Sequence, residues 1–321
     1  MKRPNHILLA GLLLVASVSC NKQFNPSEEP EAKAGVPLTL TATIGGADTK
    51  LSYTADGNGL KATWGASEKI SVITYSGTDY DAKVETIDTF SYSGGAGEKS
   101  VDFTGSFTGD ASNPILVLYP AVEDADKDGE YRSATGSIYG MKNGESDFRL
   151  DLASNQETDN SFSFLDNNTI LYGSGTISGG SLEVPLKHFT SIVKLEITFS
   201  GSSYSDDFVV RNVNIVPWDN EGNKKYAFWG DHSSIGDFPS WTSDSYQTPL
   251  LSLGGTEGLK IGSSRKITVY VPFAPRPEVH MIKKIRVYIN DDDDFTNIEL
   301  ESFRKTEEAG KIYRMTVDFP Y

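Results

Sequence analysis

Hydrophobic and polar residues alternate along most of this chain. Leu38, Leu40, Ala42 and Ile44 interleave with Thr39, Thr41 and Thr43. Val193, Leu195, Ile197 and Phe199 interleave with Lys194, Glu196 and Thr198. The same rhythm returns in Ile267, Val269, Val271 and Phe273, in Ile285, Val287 and Ile289, and in Tyr313, Met315, Val317 and Phe319. A period of two sends successive side chains to opposite faces of a strand, so each segment predicts a strand with one buried and one wet face. Pro37 suits a strand entry, where a missing N–H costs least. Shorter candidates are 70–75, 101–107, 115–119 and 169–172. Gly45-Gly46, Asp56-Gly57, Gly94-Gly95, Asp128-Gly129, Gly179-Gly180, Glu221-Gly222 and Gly254-Gly255 punctuate the runs as turns. No segment sustains a helical period. The pattern predicts an all-β protein of antiparallel sandwiches.

Length divides that picture in two. The chain has 321 residues, which at roughly 100–200 per domain suggests two sandwiches. The best boundary lies after the Gly-rich hairpin 178–181, near 185–188, giving domains over 37–186 and 187–321. Charge removes one class of partner. Lys+Arg number 29 and Asp+Glu 44, a net −15. Phosphate binding needs clustered Lys and Arg, so a nucleic-acid partner is not expected.

The first twenty residues read as an address. Lys2 and Arg3 precede a largely apolar stretch over 7–18. A membrane-spanning helix needs about 20 such residues, so this is the core of a signal peptide covering 1–19. Ser17-Val18-Ser19-Cys20 resembles a bacterial lipobox, with Ser17 where Leu is usual, and Cys20 is the single cysteine. The resemblance implies acyl chains on Cys20 and a stable outer-membrane anchor. Loss of residues 1–19 takes two basic residues with it, so the mature charge is 27 − 44 = −17. Residues 20–36, with Pro26, Glu28, Glu29, Pro30 and Glu31, cannot bury a core and read as a solvated tether.

Three segments carry a family resemblance. The first is Thr49-Lys50-Leu51-Ser52-Tyr53-Thr54, followed by Leu60-Lys61-Ala62-Thr63-Trp64 and Glu68-Lys69-Ile70-Ser71-Val72-Ile73. The second is Leu186-Lys187-His188-Phe189 running into Ser191-Ile192-Val193-Lys194-Leu195. The third is Gly310-Lys311-Ile312-Tyr313-Arg314-Met315-Thr316-Val317. Together they resemble the fimbrillin-like proteins of Bacteroidetes, the subunits and anchors of type V pili. The resemblance implies two tandem transthyretin-like antiparallel β-sandwiches. It also implies a structural or adhesive role at the cell surface, with other fimbrillin-like subunits as partners by β-strand addition. In such pili an arginine-specific cut removes an N-terminal segment, and a strand from another subunit fills the groove. This chain departs from that scheme: after Arg3 the next arginine is Arg132. An uncut chain keeps its first strand and its lipid, so an anchor-type or stand-alone subunit is expected.

Catalysis is not expected. His188, His232 and His280 stand in no recognisable triad or metal-ligand spacing, and no cofactor is called for. His188 reads as a packed structural histidine. Asp124, Asp126 and Asp128 alternate and are followed by Gly129, like the first half of a calcium loop. Position twelve is Thr135, where such loops place Glu. A solvated acidic hairpin and a partial calcium site are the two readings. The run 291–294, four aspartates, reads as an exposed loop or a cation contact. The segment 218–246 is dense in rings, including Trp218, Trp229 and Trp241, beside Asp219, Asp231, Asp237 and Asp244. Such rings either cap the second sandwich or stack on sugars. The second option supports an alternative function, a glycan-binding surface lipoprotein of a polysaccharide uptake system, with a host or dietary glycan or a surface protein as ligand.

Overall fold

A computed structural model describes residues 34–44, 54–56, 59–61, 64–78, 81–94, 98, 100–124, 126–135, 137–150, 155–156, 169–202, 205–218, 233–235, 250–255, 257–273, 281–289, 295–299 and 312–320. Apart from a helical turn at Asp81, the regular elements among them are strands. Gly35–Tyr321 forms one compact unit. Its first strands are β1 (Val36–Ile44), β2 (Thr54–Asp56), β3 (Gly59–Lys61), β4 (Lys69–Ser76), β5 (Lys83–Gly94), β6 (Ser100–Phe107) and β7 (Ile115–Tyr119). Short pieces follow: β8 (Val122–Glu123), β9 (Arg132–Ser133), β10 (Ile138–Tyr139), β11 (Asp147–Leu150) and β12 (Asn155–Gln156). Then come β13 (Leu171–Ser174), β14 (Ile177–Ser178), β15 (Ser181–His188), β16 (Ser191–Phe199), β17 (Val209–Trp218) and β18 (Ser233–Ser234). The last are β19 (Leu250–Leu253), β20 (Leu259–Lys260), β21 (Lys266–Phe273), β22 (Met281–Ile289), β23 (Phe295–Glu299) and β24 (Ile312–Phe319).

The first sheet closes on itself. Its order is β1-β6-β5-β4-β7-β13-β15-β14, and β1 also pairs with β15. Seven strands therefore run in a ring, with β14 folded back on β15 as a hairpin. Closure removes the free edges that an open sheet would present. Inward residues fill the ring: Leu38, Leu40, Ala42 and Ile44 from β1, Ile70 and Val72 from β4, Phe103 from β6, and Leu182, Val184 and Leu186 from β15. Trp64 anchors this core. Its ring stands edge-on to Phe103 at 5.2 Å and to Tyr119 at 5.6 Å. Gly105 of β6 permits the close approach of β5, because a Cβ there would lie 2.8 Å from the ring of Phe90.

A second core covers the outside of the ring. Ile73 of β4 and Leu116 and Leu118 of β7 face outward and meet Val122, Ile138, Met141 and Phe189. Strand β7 is consequently buried on both faces and reads as an uninterrupted apolar run. Ile235, next to β18, is also buried in this core. It arrives there because β18 pairs with β11 and Ile235 donates its N–H to the Ser146 carbonyl.

Strands β12, β16, β17 and β19–β24 form two further sheets over a third core. One has the order β21-β16-β24, the other β12-β19-β17-β22-β23 with β20 on β17. Leu195, Ile197 and Phe199 of β16 meet Val213 of β17, Leu251 of β19 and Val287 of β22. Phe199 stacks on Phe319 at 5.4 Å. Gln156 of β12 is fully buried here. Its amide donates to the Thr268 carbonyl and accepts the Tyr270 N–H, each at 3.0 Å. Residues before position 187 thus join the later sheets, and Ile235 joins the earlier core.

Candidate functional site

β1 is the first strand among the described residues but lies in the interior of its sheet. Its alternation buries Leu38, Leu40, Ala42 and Ile44, while its polar face reaches solvent. On one side it runs antiparallel to β6, from Val36↔Phe107 to Thr43↔Ser100. On the other it runs parallel to β15, from Thr39↔Ser181 to Ile44↔Leu186. Thr41 Oγ1 donates to Asp102 Oδ1 at 2.7 Å, and the Thr43 and Ser100 hydroxyls bond at 3.0 Å. Burying three Leu or Ile side chains is worth about 5–9 kcal/mol as an upper bound. A ring lacking β1 would expose a groove: unpaired N–H and C=O groups along β6 and β15, and pockets for alternate apolar side chains. That is the chemistry that accepts an added strand.

The acidic loop after β8 is organised by an arginine. Asp124 Oδ2 accepts the Gly129 N–H at 3.2 Å, and Asp128 Oδ1 accepts the Glu130 N–H at 2.9 Å. Lys127 and Gly129 take left-handed φ values of 57° and 81°, which turn the chain sharply. The guanidinium of Arg132 then lies 3.3 Å from Asp128, 3.3 Å from Glu130 and 3.6 Å from Asp126. A cationic side chain of the protein itself thus stands among the carboxylates. Asp124 Oδ1 is buried with no hydrogen-bond partner among the described residues. The Tyr131 hydroxyl beside it is held above its usual range, first by burial and then by the Asp124 charge. No cluster of three or more His, Cys, Asp or Glu with metal-holding geometry occurs among the described residues. Arg132 was missed in the sequence because it follows the acidic run in the next strand; an oppositely charged residue four positions after Asp128 was the available signal.

The other predicted residues scatter. His188 ends β15, is buried, and has its pKa lowered to about 4 by desolvation; its Nε2 has no hydrogen-bond partner among the described residues. Trp218 closes β17 opposite Met281 of β22. Cys20, Trp229, Trp241 and the run 291–294 lie outside the described residues. No helix among the described residues is long and apolar enough to cross a membrane.

No family model matches this chain, and no curated protein matches it. Solved structures similar to it do exist. One is a protein of Bacteroides ovatus ATCC 8483 ascribed to cell adhesion, with 12% identity, 89% of this chain and 93% of that one covered, and a TM-score of 0.46. Another is the fimbrial anchor protein Mfa2 from Porphyromonas gingivalis, with 8% identity, 83% of each chain covered and a TM-score of 0.39. A third is a fimbrial assembly protein from Parabacteroides distasonis ATCC 8503, with 11% identity, 88% and 90% covered, and a TM-score of 0.34. In each case the similarity runs over most of the chain.

Proposed function

We propose that this chain is a lipid-anchored cell-surface protein of the fimbrillin-like kind, an anchor or structural and adhesive subunit of a pilus. In this reading the two halves are transthyretin-like sandwiches, and the other subunits of the filament are linked to one another by β-strand addition. The observation that carries it is the position of β1. A sequence-terminal strand held in the interior of a closed ring is the arrangement in which one strand can replace another. No arginine occurs between Arg3 and Arg132, so an arginine-specific cut ahead of the ring has no substrate. β1 then stays in its own groove, which leaves that groove closed to a donor strand. A subunit so occupied suits the base of a filament, and the lipobox-like Cys20 with its acidic tether suits the same place. The strongly acidic body repels anionic headgroups, so the lipid is what holds it to the membrane.

The mature N-terminus tests the reading. Mass spectrometry of the protein recovered from cells should find an acylated peptide that begins at Cys20. A mature chain that begins near Lys50 or later would have lost β1, and would overturn both the anchor role and the retained lipid.

A further inference from the structure

Four neighbouring strands of the ring, β4, β7, β13 and β15, present a cleft on their outer face. Tyr75, Leu116, Tyr172, Ser174 and Lys187 line it, and Ile235 stands at its margin. Register puts these groups side by side. Leu116 is opposite Ile73, two residues before Tyr75; Ser174 is opposite Leu116; and Tyr172 is opposite Lys187. A bulge opposite Tyr75, where β5 carries the extra residue Glu85, breaks the regular pairing there.

The cleft holds about 200 Å³. At roughly 30 Å³ per water that is about seven waters, close to the bulk of one sugar ring. Its chemistry is mixed in the way a sugar requires. Leu116 and Ile235 give an apolar floor and margin, and two tyrosine rings offer flat faces for C–H groups. Tyr172 is fixed in place by an edge contact to Phe189 at 6.3 Å. Both tyrosine hydroxyls are held protonated by burial, above their usual range, so they remain donors. Three polar groups are uncommitted: the Tyr75 hydroxyl, the Ser174 hydroxyl and the Lys187 ammonium have no protein partner among the described residues. The protein carries a net charge of −15, yet among the described residues the cleft is lined by one cation and by no carboxylate. A lone ammonium in such a lining favours an anionic group on the ligand.

We propose that this cleft binds one sugar unit bearing a carboxylate, with the ring on Tyr75 and Tyr172 and the carboxylate on Lys187. The proposal rests on the cleft alone and stands or falls independently of the pilus reading. Saturation-transfer NMR on the mature chain, with sodium D-glucuronate and D-glucose as probes, tests it. Glucuronate should give saturable binding, and glucose should bind about tenfold more weakly or worse, the loss expected for one charged hydrogen bond. Lys187→Met should weaken glucuronate by a similar factor and leave glucose unchanged. Lys187 is exposed, so an unchanged melting temperature will show that the variant folds. Tyr172→Ala should abolish both signals. Absence of saturable glucuronate binding would overturn the proposal. So would equal affinity for the two, or glucuronate binding indifferent to Lys187→Met.

Discussion

Acid should destabilise this protein through His188 in a way that a single replacement can isolate. His188 is the last inward-facing residue of β15, 7% exposed, and its Nε2 meets no partner among the described residues. Burial without a partner disfavours the charged imidazolium, and the pKa falls from 6.5 to about 4. The unfolded chain keeps the ordinary value. Between the two pKa values the unfolded state therefore binds the extra proton, and stability must rise with pH. The contribution is complete above about pH 6.5, is lost as pH falls through the window, and levels off below about pH 4. At 1.36 kcal/mol per unit, a gap of 2.5 units amounts to about 3 kcal/mol. His188→Gln keeps a polar side chain of similar size and removes the titration. Urea melts of both proteins, from about pH 7.5 to about pH 3.5, give the difference in unfolding free energy at each pH. The carboxylates titrate in both proteins and cancel. The difference should be constant near neutrality and then shift by about 3 kcal/mol against the natural protein as the solution is acidified. A difference that stays flat through the window would refute the reasoning, and would mean that the imidazole finds a partner or water.

Other perturbations address the remaining cores and the acidic loop. Leu40→Ala, on the buried face of β1, should cost about 2–5 kcal/mol in urea unfolding, whereas Thr39→Ala on its wet face should stay within about 0.5 kcal/mol. Gly105→Ala forces a Cβ to within 2.8 Å of Phe90 and should cost about 1–3 kcal/mol; a neutral result would show that β5 and β6 can part without loss. Calcium should leave the melting temperature unchanged, because Arg132 already bonds Asp126, Asp128 and Glu130. A calcium-dependent rise would show that the ion displaces the guanidinium. Arg132→Ala should cost under about 1 kcal/mol by the same melts, since these pairs are exposed.

The strands legible in the sequence are those with one wet face. β1, β16 and β24 alternate cleanly because solvent covers one side and a core the other, whereas β21 keeps the period although Tyr270 on its other face is also buried. β5 escaped notice although it runs for twelve residues. Its inward position Asp88 is a carboxylate, buried at 8% exposure, which accepts the Thr108 N–H and hydroxyl at 2.8 and 2.7 Å. A satisfied buried acid looks like a surface residue to a pattern of apolar positions. The parallel pairings of β1 with β15 and of β16 with β24 were also beyond reach, since periodicity reports the face of a strand and not its neighbour. For the same reason the cleft between Tyr75, Tyr172 and Lys187 left no local trace. The calcium-like spacing was legible, but the cation that stands within it comes from Arg132, just outside the motif.

Closure of the ring through β1 and β15 also sets an order of events in time. The chain emerges from its N-terminus, so β1 appears first, and β6 is the earlier of its two partners to follow. The other partner, β15, starts only at Ser181. Until then β1 can be zipped on one side alone, and Leu40 and Ile44 have half of their final surroundings. Contacts so distant in sequence are slow to form, because the intervening chain must be ordered before they return any free energy. The earliest of these strands to emerge is thus the last to be locked, and the emerging chain carries an open flank until Ser181 has followed.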